Sequence, residues 1–184
     1  MLSVDEKSQI QALDRTQPGL PIKKGRCGTM THDYKRNGTA TLFAALNTLD
    51  GRVISMCDDQ HRHQEWLRFL RIIDKLTPKD KQVHLIVELR HPQTSGREAL
   101  AGASPTLPGA LHATSCSWLN MVERFFRDLT EKQLRRGVFR NVEELLESIG
   151  EYSDNHNCKP KPFIWTAKAS DIFEKVKRAR AALA

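Results

Sequence analysis

The chain has 184 residues, 39% of them hydrophobic and 28% charged, and its 29 lysines and arginines exceed its 22 aspartates and glutamates for a formal net charge of +7. This composition excludes collagen-like repeats and extended disorder, and at roughly 100 to 200 residues per domain the length predicts one domain. The positive charge favours an anionic partner such as nucleic acid, because net charge governs association rather than fold.

The first elements are predicted to be strands. Leu2 to Asp5 is strand-like with nothing before it, so we expect the chain to be truncated. Gln17 to Arg36 is rich in Gly, Pro and Lys, which indicates a loop. The β-prone runs Thr39 to Leu49 and Arg52 to Met56 are joined through Asp50-Gly51, which predicts a tight antiparallel hairpin.

An amphipathic helix and a buried strand follow. Within Gln64 to Leu76 the apolar residues recur at spacings of three and four: Trp66, Leu67, Leu70, Ile73 and Leu76. Thr77-Pro78 ends this helix. Val83 to Glu88 is a near-continuous apolar run, as expected for a central strand covered on both faces, with Glu88 at its end.

The last part of the chain is predicted to be helical, after a segment from Leu89 to Ala113 that shows no helical or strand period. Ser117 is a candidate N-cap for a helix with a polar face formed by Asn120, Glu123 and Arg127. The apolar stripe of this helix comprises Trp118, Leu119, Val122, Phe125, Phe126 and Leu129. Two further helices are expected, from Asn141 to Ser153 and from Ser170 to Ala184.

This order of elements predicts an α/β fold in which three acidic residues occupy comparable places. Asp5 and Glu88 each end a predicted strand, and Glu123 lies on a late helix. Cleavage and joining of phosphodiesters can use two divalent ions about 3.5 to 4 Å apart, and convergent carboxylates are suitable ligands for magnesium. Taken singly, each acid is better explained as a cap or a solvated charge.

Five stretches of the sequence carry a family resemblance: SVDEKSQIQALDRTQP, THDYKRNGTATLFAALNTLDGRV, HRHQEWLRFLRIID, SWLNMVERFFRDLTEKQLRRGVFRNVEELLESI and HNCKPKPFIWT. Together they resemble the bacterial insertion-sequence branch of the mariner-like DDE transposases, over nearly the whole chain apart from residues 89 to 113. The resemblance implies a single catalytic domain with an RNase H-like mixed sheet flanked by helices and a helical C-terminal part. It also implies two Mg²⁺ or Mn²⁺ ions, and cleavage and strand transfer of DNA at transposon ends. By motif position, Asp5, Glu88 and Glu123 would be the catalytic and metal-binding acids.

The sequence departs from this family in three places. The helix-turn-helix region that would precede residue 1 is absent, Glu88 stands where the family carries Asp, and residues 89 to 113 do not match. Back-translated with permitted codons and read one base later, Glu88 to Thr114 can spell SYATHKHPGVKRWLARHPRFQVHFTP, which resembles the missing segment. A pair of compensating frame slips would explain both the mismatch and Glu88, because Asp and Glu codons share two bases. We therefore expect weak or absent catalysis.

Basic side chains are the candidates for contact with nucleic-acid phosphates: Lys132, Arg135, Arg136, Arg140 and Lys161. The alternative for the run from Lys132 to Arg140 is a solvated face. His156-Asn157, with Lys159, Lys161 and Trp165, is open between DNA contact and docking of the C-terminal part onto the core. A metal cluster of Cys57, His61 and His63 is disfavoured against a solvated helix entry, because it lacks a second paired set.

The expected compartment is the cytoplasm, without a membrane partner. The four cysteines, Cys27, Cys57, Cys116 and Cys158, are scattered and are interpreted as reduced thiols. The N-terminus is too polar for a signal peptide, and no segment approaches the roughly 20 apolar residues of a membrane span. Beside the transposase, two alternatives remain open: a non-catalytic basic remnant that binds DNA or pairs with itself or a full-length transposase, and a repair-type nuclease.

Overall fold

The structure, a computed structural model, describes residues 1–15, 33–78, 80, 83–87, 109–112, 120–162, 164 and 169–182. These residues form an α/β fold with a five-stranded mixed sheet. The strands are β1 Leu2–Arg15, β2 Tyr34–Asn47, β3 Val53–Asp58, β4 His84–Val87 and β5 Gly109–His112. The helices are α1 His63–Leu76, α2 Val122–Leu129, α3 Val142–Cys158 and α4 Ala169–Ala182, and a π-helical turn, Thr130–Leu134, continues α2.

The sheet has the strand order β3-β2-β1-β4-β5. β2 pairs antiparallel with both β1 and β3, whereas β1, β4 and β5 run parallel. In the parallel register, Leu2 lies opposite Leu85 and Val4 opposite Val87. The first strand is therefore central, with an antiparallel meander on one side and two parallel strands on the other.

One face of the sheet, which we call the α1 face, is packed with apolar side chains. Leu2 and Val4 of β1 join Phe43, Phe69 and Leu85 in one buried cluster. The rings of Phe43 and Phe69 have centroids 5.8 Å apart. Aromatic pairs at such distances add to the stabilisation from burial, so this face forms a complete apolar core.

The opposite face, which we call the α2–α3 face, carries the larger cluster. Ile10 and Leu42 from the sheet belong to one buried cluster with Phe125 and Phe126 of α2 and Leu145 of α3. α3 begins at an effective cap, since the Asn141 side-chain oxygen accepts the Glu144 N–H at 2.8 Å. Alternation along β1 places Ser3 and Asp5 on this face, whereas Leu2 and Val4 face the α1 side.

The predicted hairpin is confirmed, and its turn contains Gly51 at φ +78°, a left-handed conformation that favours glycine. The strands before it are longer than predicted. β1 continues to Arg15, so the prediction that Asp5 ends the first strand was wrong. β2 begins at Tyr34, inside the predicted loop, because the far halves of β1 and β2 pair as a ribbon. Of the rest of that predicted loop, residues 17–32 lie outside the described residues.

The helix predicted from Ser117 begins later, at Val122. Ser117, Trp118 and Leu119 lie outside the described residues, and Asn120 precedes the helix and is buried rather than on a polar face. α1 was predicted within a residue, although its buried stripe includes Phe69 while Leu76 is exposed.

Four residues of the segment predicted to lack order, Gly109–His112, form β5 beside β4; the remainder of residues 89 to 113 lies outside the described part. In β4, Leu85 and Val87 are buried and Ile86 is half-buried, so complete cover on both faces was wrong for this strand. Among the described helices, none combines the length and apolar character needed to cross a membrane.

Candidate functional site

The side chain of Asp5 is buried where the start of α2 meets β1. It is 6% exposed, and its Oδ1 accepts the N–H of Glu6 at 2.8 Å. Its Oδ2 accepts a hydrogen bond from Asn120 Nδ2 at 3.1 Å, across a separation of 115 residues. Hydrogen bonds to the charged form of a carboxyl favour that form, so these two contacts favour ionised Asp5.

Asn120 is held by two acceptors. Its Nδ2 donates to the backbone oxygen of Val4 at 3.2 Å as well as to Asp5. Because a carbonyl and a carboxylate both require a donor, the amide orientation is fixed by the network. The Oδ1 atom of Asn120 is buried and has no hydrogen-bond partner.

Ser3 adds a second unpartnered oxygen on the same face of β1. Its side chain is fully buried and its Oγ makes no hydrogen bond. A buried polar atom left unsatisfied costs about 1–3 kcal/mol, so two such atoms near a buried carboxylate require an explanation. We call Ser3, Asp5 and Asn120 the polar cluster.

Glu123 lies on the first turn of α2, next to the polar cluster in the chain. Its N–H donates to the backbone oxygen of Asn120 at 3.3 Å, and the residue is exposed. The structure therefore brings Asp5 to the end of α2 that carries Glu123. Glu88 lies outside the described residues; it directly follows Val87, which pairs with Val4.

The chemistry of the polar cluster fits a hard divalent cation. Asp5 supplies a carboxylate, and Ser3 and Asn120 supply neutral oxygens whose hydrogen-bonding capacity is unused. Magnesium prefers oxygen ligands and retains several waters, so one or two protein carboxylates are sufficient. Within the part of the chain that the structure describes, no three His, Cys, Asp or Glu residues group together as a metal site.

A basic cleft of 540 Å³ runs beside a second face of α2. Four cationic residues line it: Arg124, Lys132, Lys159 and Lys161. Its lining also includes Asp128, whose Oδ2 accepts a hydrogen bond from Lys132 Nζ at 3.0 Å. The hydrogen bond with Asp128 is the main cause that raises the pKa of Lys132, so Lys132 stays positively charged at neutral pH.

The five predicted phosphate contacts do not all line the basic cleft. Lys132 and Lys161 line the basic cleft, whereas Arg135, Arg136 and Arg140 are exposed and do not line it. Arg135 pairs with Glu131 at 2.9 Å on the π-helical turn. Sequence reasoning missed Arg124; its spacing of four residues from Asp128, and of eight from Lys132, was the available signal.

His156 and Asn157 attach the end of α3 to the β2–β3 hairpin. His156 Nε2 donates to Gly51 O at 2.9 Å. The Asn157 amide accepts the Val53 N–H and donates to the Val53 carbonyl, both at 2.8 Å. These contacts support docking for the His156-Asn157 pair, while Lys159 and Lys161 line the basic cleft.

The run near Cys57 has the features of a helix entry. Burial raises the pKa of the Cys57 thiol to about 11, and Asp58 adds to the effect, so the thiol stays protonated and is a poor metal ligand. Asp58 forms a salt bridge with Arg68 of α1. His61 and His63 are exposed.

No protein-family model matches the chain, and neither does any curated protein. The transposase family therefore stays a prediction from the five sequence stretches, and the function must be argued from the site.

Proposed function

We propose that this chain is the catalytic domain of a DDE transposase, acting in the cytoplasm on transposon ends and target DNA. The observation that carries the proposal is the hydrogen bond between Asp5 and Asn120. It joins the first predicted acid to the start of the helix that bears the third, Glu123, although these residues are far apart in the sequence. Such convergence is what a site assembled from distant carboxylates requires.

The sheet supports an RNase H-like architecture as the finer form of this α/β fold. Asp5 lies on the central strand, which has an antiparallel neighbour in β2 and a parallel neighbour in β4. Helices cover both faces, with α1 on one and α2 and α3 on the other. In this arrangement β1 and β4 would contribute successive acids at neighbouring positions of the sheet.

Asp5, Glu88 and Glu123 are the residues that would hold two Mg²⁺ or Mn²⁺ ions. When bound, such ions activate a water or 3′-hydroxyl for attack and neutralise the leaving oxygen. The protein's own contribution is to orient the carboxylate of Asp5, which is fixed by Glu6 N–H and Asn120 Nδ2. That restraint lowers the reorganisation needed when DNA binds.

The second acid limits the proposed activity. Glu88 is one methylene longer than the Asp expected from the family, and a misplacement of about 1 Å can cost roughly a hundredfold in rate. We therefore expect slow cleavage by this chain, and a Glu88→Asp variant with a higher rate.

DNA contact is proposed for the basic cleft. Arg124, Lys132, Lys159 and Lys161 supply four positive charges against the one negative charge of Asp128. Phosphate contacts of this kind provide affinity without sequence recognition and weaken steeply with salt.

The test of catalysis is nicking of a supercoiled plasmid under single-turnover conditions, with Mg²⁺ or Mn²⁺ and with EDTA. We expect slow nicking that requires the metal and is lost in Asp5→Asn and in Glu123→Gln. Glu131→Gln is the matched control, because Glu131 is an exposed acid on the neighbouring π-helical turn. Nicking that survives in Asp5→Asn would refute the assignment of the site.

A second candidate, favoured by the basic cleft alone, is a non-catalytic DNA-binding remnant that pairs with itself or with a full-length transposase. It predicts salt-dependent DNA binding that is indifferent to Mg²⁺ and to alanine at Asp5 or Glu123. Fluorescence anisotropy with a labelled duplex at several salt concentrations separates the two candidates.

A further inference from the structure

Asn120 has an exposed fraction of only 3%, yet half of its amide is unused. Both hydrogen atoms of its Nδ2 have acceptors, the Val4 carbonyl and the Asp5 carboxylate, whereas its Oδ1 has no donor. An exchange of the two amide atoms would place oxygen against oxygen twice. The unpartnered atom is therefore the oxygen, and it is held there by the two hydrogen bonds on the other side of the amide.

Ser3 repeats this pattern from the strand. Its Oγ is fully buried and unpartnered, and the alternation of β1 places it on the same face as Asp5. Two neutral oxygens without donors thus accompany a buried carboxylate that already receives two N–H groups. A hard divalent cation accepts oxygen ligands of both kinds, so one ion could bind the carboxylate together with the two unpartnered neutral oxygens.

We propose that Asn120 is both the positioning residue for Asp5 and an oxygen ligand of the divalent cation that Asp5 binds. The amide nitrogen fixes the carboxylate, and the amide oxygen completes the ligand set, which Ser3 Oγ extends. This inference rests on the proposed function, because it uses the cation implied there. It adds a neutral ligand to the three predicted acids and does not depend on Glu88.

The test uses Mn²⁺ as the probe and the full chain. Free Mn²⁺ is measured by electron paramagnetic resonance during titration, and thermal unfolding is recorded with and without Mn²⁺. Asn120→Ala should weaken Mn²⁺ binding by about 10- to 100-fold, the usual effect of removing a residue that orients a metal ligand. Asn37→Ala is the control, since Asn37 donates from Nδ2 to a backbone oxygen, Phe139 O, at 3.2 Å.

Asn120→Asp distinguishes a metal ligand from a purely structural residue through the melting temperature with and without Mn²⁺. Without metal, the second carboxylate repels Asp5 and should lower the melting temperature. With Mn²⁺, the added charge should make the metal-induced rise in melting temperature larger than in the unchanged chain, because at a given concentration a ligand stabilises the folded state more when it binds that state more tightly. This variant keeps the inference testable if Asn120→Ala does not fold.

The outcomes separate the inference from the proposed function. Loss of Mn²⁺ binding in Asp5→Asn, with affinity in Asn120→Ala within twofold of the unchanged chain, overturns the role of Asn120 and leaves the metal site standing. A metal-induced rise in Asn120→Asp no larger than in the unchanged chain also overturns it. Absence of Mn²⁺ binding in the unchanged chain overturns both.

Discussion

The start of β1 has different surroundings on the two faces of the sheet. On the α1 face, Leu2 and Val4 enter an apolar core with Phe43 and Phe69. On the α2–α3 face, Ser3 and Asp5 are equally buried, but beside Asn120 and with two oxygens unsatisfied. One side of the strand is thus packed with apolar side chains, while the other carries the energetic cost of two unsatisfied buried oxygens.

The contrast between the two faces indicates that function is to be sought at the buried polar groups of the α2–α3 face. Apolar burial needs no further explanation, because it is what stabilises a fold. Buried polar groups without partners are uncommon, and proteins retain them where a ligand or reaction requires them.

Phe69→Ala should have the largest effect. Phe69 is fully buried on the α1 face, with its ring 5.8 Å from that of Phe43 and 6.3 Å from that of Trp66. Removing a buried aromatic side chain costs about 3–5 kcal/mol in unfolding free energy, measurable by urea denaturation. A loss below about 1 kcal/mol would contradict the description of this face as a complete core.

Asn157→Ala should have an intermediate effect on the opposite face. The substitution removes both hydrogen bonds to the backbone of Val53 and so loosens α3 from the edge strand. We expect a loss of about 1–3 kcal/mol in the same measurement. Asn155→Ala is the matched control on an exposed position of α3 and should change stability by less than about 0.5 kcal/mol.

Ser3→Ala should change stability in the opposite direction. The hydroxyl is buried without a partner, so its removal should raise the unfolding free energy in metal-free buffer by about 1 kcal/mol. Addition of Mn²⁺ should reduce this advantage if the oxygen serves a bound cation. A destabilised variant in metal-free buffer would show that the hydroxyl is satisfied in solution.

Glu65 on the α1 side is the contrasting case of a buried acid with satisfied hydrogen bonds. Hydrogen bonds from the Arg62 side chain lower its pKa from 4.5 to about 2. Its charge therefore contributes stability above pH 4.5, and this contribution is lost as the pH falls towards 2. Glu65→Gln should be less stable than the unchanged chain at pH 7, and the difference should shrink at pH 3. A difference independent of pH would contradict the role of the charge.

Local patterns were sufficient for several elements of the fold. The Asp50-Gly51 turn, the apolar spacing of α1 and the Asn141 cap each act through residues close in sequence, and each was predicted correctly. The extension of β1 to Arg15 was missed because it depends on pairing with Tyr34 and its neighbours across the chain. The burial of Asn120 was missed for the same reason, since its acceptors, Val4 and Asp5, are distant in sequence.

The candidate site was predictable only in its acids. Asp5 and Glu123 were predicted from motifs. Ser3 and Asn120 carry no charge, and what makes them candidates is a buried oxygen without a hydrogen-bond donor, which depends on the folded structure. The residues predicted to contact phosphate differ from those that line the basic cleft because the lining also depends on the folded structure. Lys132 and Arg135 are near neighbours at the π-helical turn, yet only Lys132 lines the basic cleft: it pairs with Asp128, which also lines the cleft, whereas Arg135 pairs with Glu131.

The π-helical turn Thr130–Leu134 also accommodates an extra residue in the helix. Arg135 N–H bonds to the Thr130 carbonyl five residues earlier, so the segment holds one residue more than a regular α-helical turn. Deleting Glu131 would remove the extra residue and restore ordinary α-helical winding, and the side chains before and after the turn would keep their present directions. A shortened chain would therefore remain helical here, with the change in side-chain direction confined to the turn that carries Lys132.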